Sequence, residues 1–256
     1  MDFTLVQYSK LLCTLREAGY SFQPFREFLA EQRISAIILR HDVDKKPGHS
    51  LRFAKSQAQR GIRGTYYFRI LPCSFDEGII REIHALGHEI GYHYEDVALE
   101  KGNMEKAYES FRRNLGKIRS IVPVETICMH GSPLSRYDNR SLWDHYSYKD
   151  LGISGEPYFD VNFEKVLYLT DTGRRWDGSE VSVRDKSMTA GKNAFPGLRY
   201  HSTRHIMVAC REGKLPDQVM YTFHPQRWTD NLLEGSGEFL LQNLKNIAKR
   251  ILMKIR

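Results

Sequence analysis

The stretch Ala36-Ile37-Ile38-Leu39-Arg40-His41-Asp42-Val43-Asp44 passes from β-forming apolar residues straight into arginine, histidine and two carboxylates. A buried strand has this composition when its tip delivers ionisable groups to a pocket. Asp42 and Asp44 stand two residues apart, so in extended backbone they project the same way, near enough to share a cation or to divide base and ligand roles. The competing reading is a polar loop whose acids cap a helix opening near Pro47. Four more apolar runs end in polar clusters: His93-Tyr94-Glu95-Asp96, His130-Gly131-Ser132-Pro133, Thr170-Asp171-Thr172-Gly173 and His224-Pro225-Gln226. A carboxylate and two histidines drawn from such tips make a shell for Zn²⁺ or another divalent transition metal with a position left for water. Such a metal polarises a carbonyl and lowers the pKa of water, leaving a second carboxylate as base and another histidine as acid. His93 and His224 follow apolar runs directly and lead the candidates, with His130 next. His84 and His88 straddle the Leu86-Gly87 helix stop and read as structural, while His49, His145, His201 and His205 lack a carboxylate partner.

Several elements must position these groups. Helical periodicity covers residues 4 to 18 and a shorter segment after Pro24. Strands are expected at 36–44, ending in Asp42 and Asp44, and at 65–70, 88–93 and 125–130, separated by helices at 47–60, 77–86 and from Asn103 through Ile118. Farther on, Val166–Thr170 and Val219–Phe223 read as strands, Ser202–Glu212 as a helix capped by Ser202, and residues 173–198 as a long polar excursion. Strand followed by helix at least four times predicts a parallel α/β architecture, and in a (β/α) barrel all strand tips lie on one face.

The 256 residues, 41% of them hydrophobic, suffice for one large α/β domain, and no linker or repeat interrupts them. The N-terminal stretch carries Asp2, Arg16 and Glu17 among its apolar residues, unlike a signal peptide, and the four cysteines show no C-x-x-C pair, so a soluble cytoplasmic protein with reduced thiols is expected. Over half of the formal +7 charge lies in residues 237 to 256, where Lys245, Lys249, Arg250, Lys254 and Arg256 outnumber Glu238. Apolar residues recur there at helical spacing, a basic amphipathic helix suited to packing on the domain or a partner, or to peripheral contact with an anionic membrane. Charge elsewhere is mixed and carries no recognisable module, which excludes nucleic acid.

Asp42-Val43-Asp44 after a strand, the run Gly87-His88-Glu89-Ile90-Gly91-Tyr92-His93 and a late strand ending in His224 resemble the polysaccharide deacetylase pattern (NodB-like, carbohydrate esterase family 4). More narrowly, the HDVD, HYED, MHGSPLSRYDN, TDTGRRWDG and TFHPQRW stretches resemble a divergent WbmS-like branch associated with bacterial surface-polysaccharide gene clusters. The resemblance implies a distorted (β/α)7 barrel, to be set within the single domain expected over residues 1–256, whose helical patterning adds an N-terminal extension at about 1–33 and the basic helix at about 237–256. It also implies metal-dependent removal of an N- or O-acyl group from a sugar, with Asp42 as general base, Asp44 and His93 as metal ligands, and His224 as the acid.

Two positions depart from that pattern. Val97 stands where a second histidine is usual, so the third ligand is expected to be His130, with Glu95 as the alternative. The usual Arg-x-Pro-Tyr motif is replaced by His130-Gly131-Ser132-Pro133, leaving Arg40 or Arg136 to orient the base. Tyr94, Tyr137, Arg175 and Trp176, with Glu95, are the expected sugar-binding residues. Compartment and charge favour a nucleotide- or lipid-diphosphate-linked sugar. The alternatives are a hydrolase of small-molecule amides and a non-catalytic glycan-binding protein with a degenerate metal site.

Overall fold

A computed structural model describes residues 2–131, 135–176, 195, 198–231 and 237. The basic segment from residue 238 to 256 and most of the 173–198 excursion therefore lie outside the described residues. Among the described residues there are seven strands: β1 (Ser21–Gln23), β2 (Ala36–Val43), β3 (Thr65–Phe68), β4 (Glu89–Tyr94), β5 (Ile127–Met129), β6 (Leu167–Thr170) and β7 (Gln218–Phe223). All pair in parallel, six of them in the order β5-β4-β3-β2-β7-β6, with β1 beside β2 off that path. β7 covers one edge of β2 from Ala36 to His41, while β1 and then β3 share its other edge, at Ala36–Ile38 and Arg40–Val43 respectively. The expected parallel α/β architecture is thus observed as a curled half-barrel sheet with helices. Among the described residues no ladder joins β5 to β6; there Thr126 and Gly155 form an isolated bridge.

All eight residues of β2 are buried, as a central parallel strand requires. Its neighbours are connected by α2 (Phe25–Ala30), α3 (Pro47–Ala58), α4 (Glu77–Ala85), α5 (Asp96–Leu99), α6 (Met104–Arg119), α7 (Pro157–Asp160) and α8 (Thr203–Arg211), after α1 (Leu5–Glu17). Side-chain caps start several of these where the sequence offers them: Thr4 on Gln7, Asp76 on Ile79, Asn103 on Lys106 and Ser202 on His205. The first 33 residues take part in the core, because β1 pairs with β2 and Tyr8, fully buried on α1, hydrogen-bonds the His41 ring across 3.1 Å.

Candidate metal centre and active site

Alternation along β2 sorts its polar tip into two layers. His41 faces α1 and α3, its Nδ1 2.9 Å from the Thr65 carbonyl, and burial pushes its pKa down to about 3: it is a core histidine. Arg40 and Asp42 face the other way, where Arg40 Nε and Nη2 donate to Asp42 Oδ1 and Oδ2 at 2.8 and 2.7 Å. Strand geometry stops at Val43, and the Asp44 amide turns back to donate to the Asp42 carbonyl at 3.1 Å. The two acids consequently have different surroundings, Asp42 a guanidinium and Asp44 a set of imidazoles.

Asp44 Oδ1 lies 3.7 Å from His93 Nε2 and 3.6 Å from His130 Nε2. In a tetrahedral site with bonds near 2 Å, ligand atoms stand roughly 3.3 Å apart, so this triangle is slightly wider than a loaded zinc shell. Both rings present the correct nitrogen. His93 Nδ1 is tied to the Cys128 carbonyl at 2.9 Å and His130 Nδ1 to Glu95 Oε2 at 3.0 Å, which places the proton on Nδ1 and the lone pair on Nε2. Burial, with His130 beside it, drives the His93 imidazole well below the usual histidine range, into the neutral form a ligand needs. Asp44 Oδ1 itself is buried and has no hydrogen-bond partner among the described residues, a costly arrangement for a carboxylate oxygen unless a cation completes it. The donor set Asp44, His93 and His130 fits a divalent metal. A second group, Asp42, His93 and Cys128, fits less well: Arg40 already holds both Asp42 oxygens, and the Cys128 thiol donates to the Met129 carbonyl at 3.7 Å.

The base and acid candidates flank this triangle. Asp42 Oδ2 is 3.7 Å from His93 Nε2, and of the two candidate arginines it is Arg40 that holds it, whereas Arg136 stacks on the Tyr137 ring and donates to its hydroxyl. On the other side His224 Nε2 is 4.0 Å from Asp44 Oδ2, which also accepts from Gln226 Nε2 at 3.0 Å. His224 Nδ1 lies 2.6 Å from Oδ1 of Asp171, a fully buried carboxylate at the β6 tip that also accepts from the His224 amide, Arg227 and the Trp228 indole. Burial and Arg227 push the His224 imidazole down, but Asp171 and Asp44 outweigh them and hold it above the usual histidine value.

Two of the expected sugar-binding residues lie among core side chains. Tyr94 alternates with His93 and so points into the helix layer, where it is fully buried against Phe111 and accepts from the Trp143 indole at 2.9 Å. Trp176 is only 3% exposed, stacked on Phe3 and donating to Thr203 Oγ1. Tyr137 is half-buried in the loop after β5, and Arg175 half-buried after β6. Glu95 is not free to reach a ligand, because Arg69 Nε and Nη2 occupy its two oxygens at 2.7 and 2.8 Å and His130 shares one of them. Val97 is buried in α5. Arg69, Asp171 and Gln226 are site neighbours to which the sequence alone assigned no role; Asp171 and Gln226 stand in two of the polar clusters that end apolar runs, and Arg69 directly follows the run Thr65-Tyr66-Tyr67-Phe68.

No family model matches the chain, and no curated protein matches it. Among solved structures, a family 4 carbohydrate esterase from Bacillus anthracis superposes with a TM-score of 0.43 at 12% identity, over 93% of this chain and 85% of that one. The Xyl-CE4 domain of a multidomain xylanase from the hindgut metagenome of Trinervitermes trinervoides gives 0.42 at 10% identity, over 84% of each chain. Bacillus subtilis PdaA, also a family 4 carbohydrate esterase, gives 0.39 at 11% identity, over 96% of this chain and 90% of that one.

Proposed function

We propose that this chain is a metal-dependent hydrolase that removes an acyl group from a sugar, with Asp44, His93 and His130 as the residues that hold the metal. The observation that carries this reading is the buried, unpartnered Asp44 Oδ1 facing two imidazole nitrogens already oriented as acceptors. A bound divalent ion, in our reading zinc, supplies Lewis acidity to the acyl carbonyl and lowers the pKa of a water. Asp42, fixed through both oxygens by Arg40, takes the proton from the attacking water. His224, which Asp171 holds above the usual histidine value, gives a proton to the departing amine or hydroxyl. The acyl-sugar assignment rests on the HDVD and GHEIGYH motifs, and an N-acetylated sugar carried on a nucleotide or lipid diphosphate, in surface-polysaccharide synthesis at the cytoplasmic side, is the specific substrate we propose. Among the described residues no helix is long and apolar enough to cross a membrane.

The test is to dialyse the protein against chelator, titrate it with Zn²⁺, and follow acetate release from UDP-N-acetylhexosamines. One equivalent of zinc and zinc-dependent acetate release are expected, both lost in Asp44→Asn and His93→Ala. A folded protein that binds no stoichiometric divalent ion overturns the reading.

A further inference from the structure

His93 and His130 are oriented by different means. The acceptor on His93 Nδ1 is a backbone carbonyl, that of Cys128, fixed in the β4–β5 ladder. The acceptor on His130 Nδ1 is the Glu95 carboxylate, and Glu95 is in turn clamped through both oxygens by Arg69. Arg69 leaves the tip of β3, Glu95 that of β4 and His130 that of β5, so the chain of contacts runs across three neighbouring strands. The guanidinium does one thing more: its Nη1 donates to the Asp44 main-chain carbonyl at 3.3 Å. Arg69 is itself held, since its amide donates to Ser74 Oγ, and Ser74 Oγ donates to the Val43 carbonyl.

We propose that Arg69 and Glu95 are positioning residues that preset His130 as the third metal-holding side chain, the place that Val97 cannot fill. This rests on the metal-centre reading above. The main chain of His130 is anchored independently, its amide on the Tyr94 carbonyl at 2.8 Å and its carbonyl on Asn139 Nδ2 at 2.9 Å. What remains to be fixed is the ring: its rotation and its tautomer. A carboxylate on Nδ1 fixes both and makes Nε2 a better donor to a cation. The Arg69 clamp keeps that carboxylate from turning into the site itself and pairs a charge that is only 7% exposed. Because the same guanidinium holds the Asp44 carbonyl, it sets the spacing of two ligands that follow β2 and β5, strands that are not neighbours in the sheet.

Zinc affinity, measured by competition with a chromophoric chelator, tests this without reference to turnover. Glu95→Gln is expected to weaken zinc binding roughly 10- to 100-fold, the usual effect of removing a carboxylate behind a histidine ligand. The same substitution made on His130→Ala is expected to change affinity by less than about threefold, since Glu95 acts through that ring. An equal loss in both backgrounds, or no loss in either, overturns the relay. Should Glu95→Gln unfold the protein by leaving Arg69 unpaired, the double variant Arg69→Gln with Glu95→Gln removes both charges and is expected to lose zinc affinity by at least as much, since the hold on the Asp44 carbonyl goes with the guanidinium. Wild-type protein that binds zinc while these variants match it overturns only the relay, whereas wild-type protein that binds none overturns the metal centre as well.

Discussion

Asp42 and Asp44 have the same side chain two positions apart, yet their neighbours give them different chemistry. Asp42 is closed on both oxygens by Arg40, while Asp44 leaves one buried oxygen unanswered beside His93 and His130. Asp42→Asn should therefore keep stoichiometric zinc and lose turnover; an Asp42→Asn protein that stays fully active would remove it from the base role. On the acid side the decisive contact is the 2.6 Å pair between His224 Nδ1 and Asp171. Removing an anion at this distance lowers an imidazole pKa by about one to three units. In Asp171→Asn the protonated form of His224 then persists only to lower pH, so the alkaline limb of the kcat profile moves down by that amount, with zinc affinity little changed. His224→Ala should cost about 10²- to 10⁴-fold in kcat. A profile for Asp171→Asn whose alkaline limb stays in place would show that another group donates the proton.

The elements supply direction as well as position. Along β4, Gly91 and His93 face the sheet interior while Tyr92 and Tyr94 face α6. Gly91 is required there because a Cβ would run into the Tyr67 ring and stand 2.9 Å from the Thr126 carbonyl. Tyr67 is fully buried, with its hydroxyl on Thr126 Oγ1, and cannot step aside. Gly91→Ala should cost about 1–3 kcal/mol in urea unfolding, the usual range for overpacking, and loosen zinc binding through its neighbour His93; an unchanged midpoint would mean that Tyr67 has room to move. The strands that carry the site were legible in sequence because each is an apolar, β-branched or aromatic run that stops at a charged or histidine side chain, as in IILRHDVD and EIGYHYED. β1 was not, since three residues carry no period, and neither were the one-turn helices α5 and α7. The partners of the site residues were the hardest to read. Arg69 meets Glu95, and Asp171 meets His224, only because β3 adjoins β4 and β6 adjoins β7, and sheet order is not written in local pattern. Tyr94, expected in a sugar pocket, stands at a strand tip but on the helix side of its strand, where its hydroxyl accepts from the Trp143 indole.

A sheet of parallel strands separates its two ends functionally. The tips of β2 through β7 deliver Asp44, Arg69, His93, His130, Asp171 and His224 to one end. At the other end a cleft of about 200 Å³ is lined by ion pairs that satisfy one another, Arg63 with Glu27 and Arg26 with Glu125, while Glu89 accepts from Thr65, Thr126 and the Arg26 amide. Among the described residues that end offers no buried carboxylate oxygen without a hydrogen-bond partner. The opening between β5 and β6 carries a cost of its own. Glu156, beside the Thr126–Gly155 bridge, is fully buried and accepts from the Met129 and Tyr158 amides; burial, despite those bonds and Arg40, pushes its carboxyl up from 4.5 to about 7. The folded protein thus holds this proton more tightly than the unfolded chain does. Below pH 4.5 both states are protonated and folding loses nothing; between 4.5 and about 7 the unfolded chain ionises first, so stability falls as pH rises, by up to about 3 kcal/mol across the window. Glu156→Gln abolishes this titration. Its amide changes the two hydrogen bonds by an amount independent of pH, so the diagnostic is the slope. Urea unfolding of both proteins in chelator should show the difference shifting toward the variant by up to about 3 kcal/mol from pH 4.5 to 7.5. A difference constant over that range would mean that Glu156 is ionised in the folded protein, with Arg40 divided between two carboxylates instead of reserved for Asp42.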